Sequence, residues 1–268
     1  MVCPRGHVAS SMSIQTCHFG HVVMMAAASL LACNQAPSPP APPATRAALP
    51  AIREAPVTAL TIHERPITFD AARRERTLAY RQRHQDRAAR DIVIEPRMIV
   101  LHHTGGGDLD RAWRYFDRAV IEASRASVAR GGELNVSAHF LIDRRGTIVR
   151  LMPETWMARH CVGLNHVAIG VENVGDRADH PLTDAQVAAD VALVRDLKRR
   201  FPGITHLIGH HEHRTFEGHP YYREREPAER PLQEDPGPVF MRAVRAELAD
   251  LGLQGPPAPP GAPPRPAP

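Results

Sequence analysis

The 268-residue sequence predicts an α/β fold, a mixed central β-sheet flanked by helices. Three observations carry this reading. Residues 98–101, 167–172 and 206–209 are short apolar runs of strand length that give way to polar residues. Residues 136–143 alternate, Arg144-Arg145-Gly146 makes a turn, and 147–152 continues as a second strand, so 136–152 reads as a hairpin. The intervening segments have helical signals, and a hairpin among strand–helix units implies a mixed sheet covered by helices.

Each element has its own local reason. Residues 67–92 carry helical apolar spacing. Within them 72–90 is the densest basic stretch, but it also holds Glu75 and Asp86, so it reads as a solvated helix face. The strand at 98–101 empties into His102-His103-Thr104-Gly105-Gly106-Gly107, a loop, and Asp108 can cap a helix running to about residue 129. Thr183-Asp184-Ala185-Gln186 resembles a capping box that opens a helix to about residue 201. Residues 214–235 are long, polar and irregular, and a last helix spans about 239–251.

Composition bounds the class. Hydrophobic residues at 43% suffice for a core, and eight of the 26 prolines fall in 255–268 and six in 36–50, so a globular body lies between two proline-rich segments. A net charge of +4 with no long run of like charge excludes a nucleic-acid arm as the expected partner surface. Lys198 is the sole lysine among 33 basic residues, which reads as coding bias, and its place is a solvated helix face. Three of the four cysteines lie in the first 33 residues, so the rest of the chain has only Cys161 and no disulfide framework. Cys161 reads as a small buried hydrophobe, not a nucleophile.

The N-terminus reads as an address. Residues 19–32 are apolar but too short to span a membrane, and they fit a secretory h-region. Leu30-Leu31-Ala32-Cys33 resembles the lipobox of bacterial lipoproteins, in which the cysteine is lipidated and becomes the mature N-terminus. The division expected is a lipoprotein-type signal peptide at 1–32, a proline-rich tether at 33–58, the folded domain at 59–253 and a proline-rich tail at 254–268. By the same resemblance, Asn34 favours the outer membrane, with the domain facing the periplasm. The alternatives are an ordinary cleaved signal on a secreted protein, or a start codon placed too early.

Sixteen histidines need sorting. A catalytic zinc takes three N, S or O ligands and keeps one position open. His102 and His103 end one strand and His210 and His211 another; alternation lets only one of each pair face a given site. Asp235 sits in Glu234-Asp235-Pro236-Gly237-Pro238, a turn before the last helix. Taken singly, each is more often a cap or a core histidine. Together they offer a His–His–Asp set from three element ends.

These segments resemble the type-2 N-acetylmuramoyl-L-alanine amidases, which share a fold with peptidoglycan recognition proteins and phage amidase lysozymes. The resemblance lies in five motifs in order: 98–104; 137–143 with Gly146-Thr147-Ile148; Ile169-Gly170-Val171-Glu172-Asn173; Leu207-Ile208-Gly209-His210; and Asp235-Pro236-Gly237-Pro238. It spans about residues 67–248. It implies one zinc ion held by His102, His210 and Asp235, with Glu172 as general acid/base and His103 turned away or at the rim. It implies cleavage of the amide between the lactyl group of N-acetylmuramic acid and L-alanine of the stem peptide, in peptidoglycan or muropeptides. His160 and Asn165 fall where the family lines its groove; His139 matches a histidine the family often has and is a candidate substrate contact, although a buried, hydrogen-bonded role is at least as well supported. His211, His213 and His219 read as surface or loop residues, and a monomer is expected.

One position departs from the pattern. Most active members carry Lys two residues before the aspartate, where it is thought to stabilise the oxyanion; here the residue is Gln233, an N–H donor without charge. Arg225 or Arg230 are possible substitutes from the long loop. Two competing readings stand beside the enzyme: a peptidoglycan-binding module of the same fold that does not cut, and a structural envelope protein. The second gives no reason for the metal set.

Overall fold

The computed structural model describes residues 60–176, 178–226 and 232–258. The fold lies within the unit 56–268. Six strands form one sheet: β1 (Ile62–Glu64), β2 (Met98–His103), β3 (Phe140–Ile142), β4 (Ile148–Arg150), β5 (Ala168–Asn173) and β6 (His206–Gly209). Their spatial order is β1-β4-β3-β5-β2-β6. Only β3 and β4 pair antiparallel, as the hairpin; every other neighbouring pair is parallel. The mixed sheet expected from the sequence is therefore the sheet observed.

Side-chain alternation splits the strands between two layers. Ile99 and Leu101 of β2, Ile169 and Val171 of β5 and Leu207 of β6 pack on α4 (Asp184–Arg200) and α5 (Pro238–Ala246), through Leu193, Val194, Leu197, Met241 and Val244. Met98, Val100, Ala168 and Ile208 point the other way, onto Cys161, Leu164 and Phe216. On that same side Leu141, Val149 and Leu151 meet Ala112 and Phe116 of α2 (Leu109–Asp117). α4 starts with the capping box read from the sequence: Thr183 accepts from the Gln186 backbone N–H, and the Gln186 side chain accepts from the Thr183 N–H.

Three expectations change. The helix expected at 67–92 is shorter, α1 (Ala71–His84), and its Arg73 is fully buried, not solvated. Arg73 donates to the carbonyls of Phe116 and Asp117, the last residues of α2, and to Thr68. Those carbonyls are thus satisfied where α2 stops, and the helix expected to reach 129 is broken there. Val120 then bridges to Leu134, Ile121 is buried, and a short α3 (Ala126–Ala129) follows. Lys198, read as solvated, donates Nζ to the carbonyls of Pro202 and Ile204 and closes the turn after α4.

After β6 the chain coils through a 3-10 segment, His210–Phe216, into the long loop. His84 of α1 holds this loop through Nδ1, 2.9 Å from Glu224 Oε1, while its Nε2 lies 2.6 Å from the Gly131 carbonyl after α3. No helix among the described residues is long and apolar enough to cross a membrane. Cys33, the signal and the tether up to residue 58 lie outside the described residues, as does Arg230.

Candidate metal centre

Three neighbouring parallel strands, β6, β2 and β5, end together. The register sets His102 opposite Glu172 and Leu101 opposite Gly209, so His210 follows directly beside His102. His102 shares the parity of Met98 and Val100, Glu172 that of Ala168 and Gly170, and His210 that of Ile208. All three side chains therefore leave the sheet on one face, at the carboxyl ends of the strands, where open α/β sheets place their ligands. Asn173 has the opposite parity and reaches α4, donating Nδ2 to Asp190 Oδ2 at 2.9 Å.

Asp235 closes the set from the turn before α5. Its Oδ2 lies 3.2 Å from His102 Nδ1, and its carboxylate lies 3.1 Å from His210 Nδ1. Among the described residues these three are the one cluster of histidine, cysteine or carboxylate ligands close enough to hold an ion, with donor atoms within 4.8 Å of one another. The donor set fits zinc: bonds of about 2.0–2.1 Å in a tetrahedron space the ligand atoms by about 3.3 Å. Burial, reinforced by His210, pushes His102 down to about 4, so it is neutral at pH 7. Burial opposes ionisation of Asp235, yet the bonds to His102 and His210 hold its carboxyl far below the usual range. A neutral imidazole at His102 beside an ionised Asp235 gives the protonation states a metal needs at those two ligands.

The centre opens into a groove of about 1030 Å³. Glu172, Gln233, His160 and Asn165 line it with the three candidate ligands, and Arg111, Arg114, Arg118 and Arg125 stand along it. Burial, and then the Asp235 charge, raise the Glu172 carboxyl to about 8. Its Oε2 is a buried acceptor without a protein partner. His103 also lines the groove, at the rim, and accepts from the Gly105 N–H through Nδ1. Arg225 is exposed and is not among the groove residues.

His139 is the correction among the substrate-binding candidates. It is fully buried; its Nδ1 accepts from the Gly170 N–H and its Nε2–H donates to the Trp156 carbonyl. Both nitrogens are used inside the protein, so it braces the sheet and offers no polar atom to a substrate. His211 and His213, read as surface or loop residues, are braces too. The His211 backbone N–H and ring Nδ1–H both donate to the Asp235 carbonyl, and buried His213 donates Nδ1–H to the His210 carbonyl. The crowding of histidines at 210–213 was the available signal, but only the three-dimensional turn shows that they hold the backbones of candidate ligands. Cys161 is buried, and burial pushes its thiol well up, in keeping with an inert role.

A sheet whose strand ends deliver two histidines and a glutamate, closed by an aspartate, defines a class of α/β protein with a candidate metal-assisted hydrolytic centre. The family model described as Amidase_2, N-acetylmuramoyl-L-alanine amidase, matches residues 90–228, and the chain belongs to that family. Asp235 lies beyond the matched segment. The chain is also similar to solved structures. The N-acetylmuramoyl-L-alanine amidase LysC from Clostridium intestinale URNW is 24% identical, with 72% of this chain and 99% of that one covered, at a TM-score of 0.45. Human PGRP-IBETAC in complex with glycosamyl muramyl pentapeptide is 15% identical, with 57% and 84% covered, at a TM-score of 0.39. No curated protein matches the chain.

Proposed function

We propose that this chain is a zinc-dependent peptidoglycan amidase that hydrolyses the bond between the lactyl group of N-acetylmuramic acid and L-alanine of the stem peptide. The observation that carries the reading is the single-face row of His210, His102 and Glu172, completed by Asp235. His102 Nδ1, His210 Nδ1 and the Asp235 carboxylate would hold one zinc ion. When bound, zinc supplies an acidified water near neutral pH and polarises a carbonyl.

The chain's own residues do the remaining work. Glu172 Oε2 takes a proton from the attacking water and passes it to the amide nitrogen. The C–N bond breaks, the lactyl carbon keeps the hydroxyl, and the stem peptide leaves with a free amine. A carboxyl raised to about 8 both holds and releases a proton near neutral pH. Gln233 supplies an amide N–H toward the developing oxyanion, a weaker donor than an ammonium. His160 and Asn165 help to shape the groove beside the centre, and the arginines along it suit a substrate rich in carboxylates.

Gln233 is also what favours a second reading, a module that binds peptidoglycan without cutting it. Digestion of purified sacculi decides between them: the amidase releases peptide amines and loses that activity to a chelator, whereas the binding module retains sacculi and releases none. The remaining proposals concern place and assembly: a monomer, with a signal at 1–32, lipid on Cys33, a tether to residue 58, the amidase domain at 59–253 and a proline-rich tail at 254–268. Two acyl signals or more give a stable membrane anchor.

A further inference from the structure

His160 and His102 form a short chain of ring nitrogens anchored on a backbone carbonyl. His160 Nε2 lies 3.3 Å from the Ala168 carbonyl, His160 Nδ1 lies 3.0 Å from His102 Nε2, and His102 Nδ1 lies 3.2 Å from Asp235 Oδ2. The Ala168 carbonyl can only accept. In the zinc reading, the cation sits at the His102–Asp235 contact.

With a cation there, one arrangement satisfies every atom. His160 donates Nε2–H to the Ala168 carbonyl, which leaves His160 Nδ1 as an acceptor. His102 then donates Nε2–H to His160 and turns the lone pair of Nδ1 toward the cation. The reverse arrangement would point a bare His160 Nε2 at a carbonyl oxygen. The fixed carbonyl at the far end thus selects the tautomer at the near end.

We infer that His160 is a positioning residue that fixes the metal-donating tautomer and ring orientation of His102, through the chain Ala168 carbonyl–His160–His102. The inference rests on the zinc reading of the centre.

The surroundings are built for this placement. His160 has its backbone N–H, with that of Cys161, donated to Asn165 Oδ1 at 2.8 and 2.7 Å. Asn165 is fully buried, so the backbone carrying the ring is held. The ring lies over Gly170 of β5, where an added Cβ would stand 2.7 Å from His160 Cγ. A glycine is needed there by close approach, since its conformation is that of an ordinary strand. Asn165 and Gly170 therefore serve His160, and His160 serves His102.

The test uses the full chain and zinc as the probe, with affinity read by competition against a chromophoric chelator and ring-nitrogen NMR on the zinc-loaded protein. His160→Ala should weaken zinc about 10- to 100-fold, the usual cost of losing a partner of a metal-bound histidine. His160→Gln keeps an acceptor oxygen and should recover most of that loss. In the wild type the His102 Nε2–H should give a protected ring N–H signal, which His160→Ala exposes to exchange. Thermal unfolding of the zinc-free variants separates this from a folding defect. Should His160→Ala destabilise the zinc-free fold, Gly170→Ala, which displaces the ring without touching it chemically, should show the same zinc loss. Wild-type zinc affinity in His160→Ala, or a His160→Gln no better than His160→Ala, overturns the inference. A wild-type chain that takes up no zinc overturns the metal reading itself, a result distinguishable at the first step.

Discussion

Replacing Asp190 by Asn should make the protein more stable at pH 8 and leave it nearly unchanged at pH 4. Asp190 is fully buried on α4, accepts one hydrogen bond from Asn173, and leaves Oδ1 without a partner. Burial raises its carboxyl from 3.8 to about 8, against the lowering effect of the Asn173 bond. Between those values the unfolded chain releases the proton and the folded chain keeps it. The unfolded state therefore binds fewer protons, and stability falls as pH rises through the window. Each pH unit costs about 1.4 kcal/mol, so the ceiling is roughly 5 kcal/mol, and relaxation around the site should leave about 2–5 kcal/mol. Asparagine has the same shape, keeps the acceptor for Asn173, and cannot titrate. Urea unfolding of zinc-free wild type and Asp190→Asn at pH 4, 6 and 8 measures the difference. Parallel pH dependence of the two proteins would refute the claim that Asp190 is buried as a neutral acid. The consequence reaches the centre, because Asn173 follows Glu172 and also donates to the His102 carbonyl at 3.4 Å.

Other expectations follow from the geometry of the groove. His210→Ala should abolish zinc binding measured by metal analysis, while His211→Ala, which removes one of two bonds to the Asp235 carbonyl, should weaken zinc but retain it; the opposite ranking would reverse the assignment on β6. Glu172→Gln should keep zinc and lose about 100- to 10,000-fold in release of amines from muropeptides, and normal turnover would remove Glu172 from the acid/base role. Gln233→Lys should raise turnover about tenfold and Gln233→Ala lower it, with zinc content steady; flat rates in both would show that residue 233 does not serve the oxyanion. Cys33→Ser should move the chain from the membrane to the soluble fraction, and equal partition of both forms would leave a secreted or misassigned N-terminus.

Much of the sheet was legible because its strands carry their pattern locally. The run 98–101 is apolar throughout, as expected of a parallel strand covered on both faces, and β6 appears at the residues expected. β1 was not legible: Ile62–Glu64 is three residues long and exists through its pairing with β4. The break after α2 was hidden for a related reason. The sequence from Asp108 onward gives no stop at Asp117; the stop comes with Arg73, a residue from another helix. At the centre, strand ends and a turn marked the histidine pairs at 102–103 and 210–211 and Asp235, while the choice within each pair, and Glu172, came with the family resemblance. His160, His211 and His213 could not be given their tasks, since hydrogen bonding to a neighbour's carbonyl leaves no trace in spacing. His139 was ambiguous between groove and core, and burial of both ring nitrogens resolved it.

The row of His210, His102 and Glu172 has a consequence for how such a chain tolerates change in length. Adjacent strands stand about 4.8 Å apart, and side chains alternate with a period of two. Adding or deleting one residue within β2, β5 or β6 would carry the site residue to the α4/α5 side and turn an Ile, Val or Leu toward the groove. The same edit that disarms the centre thus breaks the core, so selection for folding alone would remove it. Turns that carry neither a site residue nor one that braces it are free of that coupling. Insertions and new specificities should accumulate there, while the metal-facing positions remain fixed by packing as much as by chemistry.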